Sequence, residues 1–160
     1  MTTASAPALL HVALQDIHAG KIDAAERLLV LAAACDDPAL AEIVRAEALR
    51  AAGQARRIRD AGVDVSGPAN LWMAGILEDA ERDTRQTQPG RLLDVALVGA
   101  IRKAKAAEIV SSETAIALAR EVGVTDLLAV SEENLGEEIE TDRSLKARLA
   151  ALTGVAATSR

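Results

Sequence analysis

The sequence predicts an all-α protein, a bundle of four long helices, and three observations carry that prediction. The composition is 50% apolar and 26% charged, rich in Ala, Leu, Glu and Arg and without Phe or Tyr, which is helix-forming chemistry. Apolar residues recur at spacings of three and four along four long stretches. Between the second and the third lies a connection much longer than a turn, containing a short amphipathic stretch of its own. At 160 residues the chain has room for one ordinary domain with a real core, and not for two.

The first helix is expected from about Pro7 to Cys35, with Leu10, Leu14, Ile17, Ala24, Leu28 and Leu31 as its inner stripe. Asp36, Asp37 and Pro38 stop it, and Asp37 is placed to cap the next helix with Pro38 in the first turn. The second helix carries Leu40, Ile43, Val44, Ala51 and Ile58 inward as far as Gly62, a C-terminal stop. Residues 63–89 form a crossover in which Pro68 to about Thr87 reads as a shorter helix bearing Leu71, Trp72, Ile76 and Leu77. Trp72 is expected to staple it over the bundle.

After the Gln88-Pro89-Gly90 break, a third long helix runs from about Gly90 to Val122 with Leu93, Leu97, Ile101, Glu108, Ser112, Ala115 and Ala119 on one side. Gly123 ends it. Thr125 or Asp126 starts the fourth, with Leu128, Leu135, Ile139, Leu145, Leu149 and Leu152 inward, and residues 1–7 and 153–160 read as flexible tails. Two hairpins joined by a crossover make the ferritin-like form of the four-helix bundle, as distinct from the up-down form with short loops throughout.

The informative residues are charges set inside the apolar stripes. Lys21 fills the one vacancy between Ile17 and Ala24. Glu47 and Gln54 fall on the line through Ile43, Ala51 and Ile58, with Arg50 at its edge. Lys105 and Glu108 share the face of Ile101, and Glu138 and Asp142 fall near Leu135 and Ile139, whereas Glu133 and Glu137 point away. In the crossover topology Lys21, Arg50, Lys105 and Glu138 lie about 12 to 15 residues from one end of the bundle, roughly 20 Å down at about 1.5 Å per residue. Lys21, Arg50 and Lys105 with Glu47, Glu108 and Glu138 give three charges of each sign, so the layer can be neutral as a set, and Asp142 lies one turn further on. Desolvation excludes charges from cores unless they are paired or bound to metal. A core ion-pair network is therefore expected, with a metal site and side chains that snorkel to solvent as the other readings.

Composition excludes several functions. A net charge of -6 and a single aromatic residue, Trp72, disfavour nucleic acid as a partner. Cys35 is the only cysteine, so neither an intrachain disulfide nor a thiolate zinc cluster is available. Beside two aspartates its thiol is expected to be idle. Met1 to Ala8 lacks the features of a signal peptide, charges interrupt every candidate membrane span, and a cytoplasmic protein is expected. His11 and His18, seven apart on one helix, lack a third ligand and read as surface or boundary histidines. Ser111, Ser112 and Ser131 have no adjacent base, and Ser112 is expected to fill a close helix approach.

Five segments resemble the YciE/YciF-like family of ferritin-like stress proteins. Leu14-Gln15-Asp16-Ile17-His18-Ala19-Gly20-Lys21 is similar to the family's L-x-D-L-Y-x-A-E, and Glu47-Ala48-Leu49-Arg50-Ala51-Ala52-Gly53-Gln54 to its H-x-x-E-T-x-G-Q. Met73-Ala74-Gly75-Ile76-Leu77-Glu78-Asp79 resembles M-x-G-L-I-x-E. Lys105-Ala106-Ala107-Glu108-Ile109 and Glu132-Glu133-Asn134-Leu135-Gly136-Glu137-Glu138 resemble E-H-Y-E-I and E-E-T-L-x-E-E. The resemblance implies inward carboxylates for a di-metal centre, and at those positions this chain has Lys21, Arg50 and Lys105. The family's helix-two histidine is Glu47 here, and its His-Tyr pair is Ala106-Ala107.

The expected function is therefore that of a non-enzymatic, metal-free ferritin-like protein, a structural or interaction component in a stress response, with no cofactor. One alternative is a di-metal carboxylate oxidase, ferroxidase or peroxide-handling protein with iron or manganese at a reduced site of Glu47, Glu108 and Glu138. Another is a module that binds a small polar ligand at the charged layer. Helix one is apolar nearly all round at Leu28-Leu29-Val30-Leu31, as is helix three from Leu92 to Ile101, which predicts a homodimer through that end.

Overall fold

Ser5 sets the start of the first helix, because its side chain accepts from the Ala8 amide and Pro7 occupies the first turn, where a missing N–H costs nothing. In the computed structural model, which describes residues 5–154, α1 spans Ala6–Ala34. Asp37 caps α2 (Pro38–Asp60) by accepting from the Leu40 amide at 3.1 Å. The crossover contains α3 (Leu71–Gln86), and α4 (Arg91–Val122) and α5 (Thr125–Thr153) form the second hairpin. Gly123 separates them in the left-handed region, at φ 79, where a side chain would be strained.

Three boundaries differ from expectation. α3 begins at Leu71 rather than Pro68, because Asn70 supplies the cap, its side-chain oxygen accepting from the Met73 amide at 2.8 Å. The expected tails are shorter at their inner ends, since Ala6, Pro7 and Thr153 are helical. The remainder of those tails, residues 1–4 and 155–160, lies outside the described residues.

α1 pairs with α2, α4 pairs with α5, and α3 lies against α1 and α4. The expected stripes of α1 and α4 are buried throughout. That of α5 is the expected one only at its C-terminal end, where Leu145 is buried and Leu149 and Leu152 pack against the core. Ser131, Asn134, Glu138, Thr141 and Leu145 face inward, while Leu135 is half-buried and Ile139 is 41% exposed. Along α5 the three-four spacing runs through polar residues, and the leucine-isoleucine line sits one residue, or about 100°, to the side. In α3 likewise Met73, Leu77 and Ala80 are buried, and Leu71 is exposed.

α1 seats the crossover. Asn70 donates to the Asp16 carbonyl at 2.9 Å, and the Trp72 ring nitrogen donates to the Asp16 carboxylate at 3.1 Å. Gly20 makes room for this contact, since a Cβ there would lie 2.9 Å from the Asn70 amide nitrogen. At the end of the bundle, buried Asp94 of α4 accepts from the backbone amides of Asp36 and Asp37, each at 2.9 Å, which fixes the α1–α2 turn. Two apolar clusters result. The larger surrounds Leu28, Leu31, Leu40, Met73, Leu93 and Leu97, and the smaller surrounds Leu10, Leu14, Ile17, Ile58 and Ala119. The inward charges occupy the gap between them.

Candidate functional site

Lys21 of α1, Glu47 of α2, Lys105 and Glu108 of α4 and Glu138 of α5 meet in that gap, none more than 2% exposed. The Lys21 ammonium lies 2.6 Å from Glu108 Oε1 and 2.5 Å from Glu138 Oε1. The Lys105 ammonium lies 2.5 Å from Glu108 Oε2 and 2.6 Å from Glu138 Oε2, and it donates to Glu47 Oε1. Glu108 and Glu138 thus each bridge the two nitrogens, one oxygen to each. Glu47 completes the surroundings of Lys105 alone, its second oxygen accepting from the Thr141 hydroxyl at 2.6 Å.

The buried set holds two ammoniums and three carboxylates, not three of each. Burial pushes the Glu138 carboxyl up, but Lys105 and Lys21 together outweigh it and hold it well below the usual carboxylate range. For Glu108 burial wins. Its carboxyl is raised in spite of both lysines, with the charge on Glu138 pushing the same way. Burial also opposes the Lys105 ammonium, and Glu108, Glu138 and Glu47 overcome that opposition and raise it well above its ordinary value. The cluster therefore holds one carboxylate more than it has ammoniums.

Arg50 and Asp142 do not join this set. The Arg50 side chain is 30% exposed, and its guanidinium donates to Thr141 at 2.6 Å and to the Glu137 carbonyl at 3.3 Å. Its place at the edge of the α2 stripe carries it into the α2–α5 seam rather than the interior. Asp142 accepts from Arg102 at 2.7 Å near the surface. One residue beyond Thr141, it is rotated about 100° from the buried line. Glu137 does not point away, because it accepts from Gln54 at 2.9 Å and from Arg57. Gln54 itself is fully buried.

Sequence reasoning missed Thr141, Asn134 and Asp94. The first two were legible, since they continue the three-four spacing through Glu138 once polar residues are counted as inward. Asp94 was legible as an acid on the Leu93–Leu97 turn, but its partners are backbone amides that no side-chain pattern reveals.

His11 is exposed and His18 half-buried, with burial first and Arg59 second holding the His18 imidazole below its ordinary pKa. Cys35 is half-buried, and burial with the charges of Asp94 and Asp37 pushes its thiol up to about 12. Ser131 is buried and donates to the Leu127 carbonyl at 2.7 Å, Ser112 is buried on α4, and Ser111 is half-buried.

Glu47, Glu108 and Glu138 offer oxygens within 4.8 Å of one another, a spacing compatible with a shared cation. The donor set does not fit a metal. An ammonium has no lone pair to give, both ammoniums press on the bridging carboxylates, and their charge opposes a further cation.

The model of the family described as Domain of unknown function (DUF892) matches residues 5–158. The chain belongs to this family. Among solved structures, the Escherichia coli stress protein YciF is 23% identical with a TM-score of 0.91, over 95% of this chain and 99% of that one. YcfI of Rhodopseudomonas palustris, a proposed structural protein, is 22% identical with a TM-score of 0.83, over 89% of this chain and 93% of that one. At these identities the likeness establishes the ferritin-like fold for this DUF892 member. No curated protein matches the sequence.

Proposed function

We propose that this DUF892 member is a metal-free, non-enzymatic ferritin-like protein, a structural component of a stress response, in which two lysine ammoniums stand where the fold's two cations would sit. The observation that carries this reading is the double bridge, in which Glu108 and Glu138 each give one oxygen to Lys21 and the other to Lys105. That is the charge arrangement of a carboxylate-bridged cation pair, supplied by the chain itself. The likeness to YciF, a stress protein, and to YcfI, a proposed structural protein, supports the physiological half of the reading. A cytoplasmic setting is part of it, in keeping with one idle thiol, and no helix among the described residues is long and apolar enough to cross a membrane.

Exchange of both lysines is the test. Lys21→Glu with Lys105→Glu should let the chain take up iron or manganese when refolded with either metal. A folded double variant that binds neither metal would contradict the assignment of the two nitrogens to cation positions. The same reading includes a homodimer through the end bearing Leu29, Val30 and Leu92, which are 50%, 58% and 68% exposed. Light scattering should report twice the monomer mass, and Leu92→Glu should halve it.

A further inference from the structure

The side of the bundle opposite α3 is the seam between α2 and α5, and there a small cleft of about 100 Å³ opens between Ile43, Ala46, Glu47, Arg50, Glu140 and Thr141. It reaches Glu47, a member of the buried cluster. The geometry points to a binding site for a small oxyanion, a carboxylate or phosphate group, with Arg50 as its recognition residue.

Arg50 stands apart from the other half-buried arginines. Arg27, Arg57, Arg102 and Arg148 have side chains 24% to 31% exposed, and each is closed by a carboxylate on a neighbouring helix or turn, namely Glu81, Glu137, Asp142 and Asp37. Arg50 has the same exposure and, among the described residues, no carboxylate within hydrogen-bond distance. The nearest carboxylate among the described residues is Glu140, at 3.9 Å on a side chain 66% exposed. Among the described residues only Nη1 of the guanidinium makes hydrogen bonds, to the Thr141 hydroxyl and the Glu137 carbonyl, both neutral acceptors. Nε and Nη2 keep free donors, the fork that accepts a carboxylate or phosphate edge with two parallel bonds. Thr141 fixes the fork from below, because its own proton goes to Glu47 and its oxygen is left to accept from Arg50.

The negative groups beside the cleft do not forbid an anion. Glu47 is held by Lys105 and Thr141, so its charge is already answered, and Glu140 is free to swing into solvent. The cleft is open to solvent and admits a group of acetate or phosphate size. This site does not depend on whether the cluster ever holds metal, so it stands or falls apart from the function proposed above.

The test is a nitrogen-detected NMR titration of the arginine side chains with sodium acetate and, separately, sodium phosphate, at constant ionic strength. The Arg50 Nε resonance should shift and saturate with at least one anion, whereas that of exposed Arg59 should not saturate. Glu140→Gln, which removes the competing carboxylate from an exposed position, should tighten binding at least threefold, and Arg50→Gln should abolish the saturable shift seen at neighbouring Thr141. A shift at Arg50 no different from that at Arg59 with both anions, or no tightening in Glu140→Gln, overturns the proposal.

Discussion

Lys105 touches all three carboxylates of the cluster, so its removal strands more buried charge than that of any other side chain. Lys105→Ala should destabilise the protein by about 3 to 5 kcal/mol in urea unfolding. Arg50→Ala should cost only about 0.5 to 1.5 kcal/mol, because half-exposed Arg50 gives up hydrogen bonds to neutral groups that water can replace. The two glutamates that bridge the lysines should also behave differently. Glu138 is held below its ordinary value of 4.5, so it stabilises the fold above that pH, and its contribution is lost as pH falls. Lys105 is raised above 10.5, so its contribution is intact below that pH and lost as pH rises through the folded value. Glu108 is raised, so folding favours its neutral form. At pH 7, Glu138→Gln should cost several-fold more than Glu108→Gln, and the acid limb of the stability profile should flatten only in Glu138→Gln. The sequence disclosed Lys21 because it alone interrupts an unbroken apolar line. It misplaced Arg50 and Asp142 because each sits one residue to the side of a buried line, where 100° of rotation separates core from seam.

At the scale of elements, the boundaries of α1, α2, α4 and α5 were legible because proline, aspartate and glycine punctuate them chemically. The start of α3 was not. Pro68 resembles a first-turn proline, yet the donor that needed capping was the Met73 amide, and Asn70 meets it. The inner face of α5 was hidden for a different reason. Its buried line of Ser131, Asn134, Glu138 and Thr141 is polar, because it faces the charged layer and the arginine and glutamine side chains of α2. Counting only apolar residues therefore chose the neighbouring line. The seating of α3 gives a prediction at this scale. Gly20→Ala places a methyl 2.9 Å from the Asn70 amide nitrogen, which must move and loosen its bonds to Asp16 and Met73. The cost should be about 1 to 3 kcal/mol, with faster hydrogen exchange in α3 than in α2 or α5.

At the scale of the whole molecule, the crossover and the four stripes disclosed the topology, and the family match and the likeness to YciF agree with it. Fold does not fix chemistry. Two apolar clusters press on a middle layer whose charges must be answered within the chain or by a bound cation, and here two lysines reach between the three carboxylates. That arrangement answers two of the three carboxylate charges within the chain, and it ties four helices together at one level. The most direct measurement is the metal content of wild-type protein purified from cultures supplemented with iron and manganese, read beside the same measurement on Glu108→Gln. The account predicts far less than one metal ion per chain in both. One or more ions per wild-type chain, lost in Glu108→Gln, would contradict it.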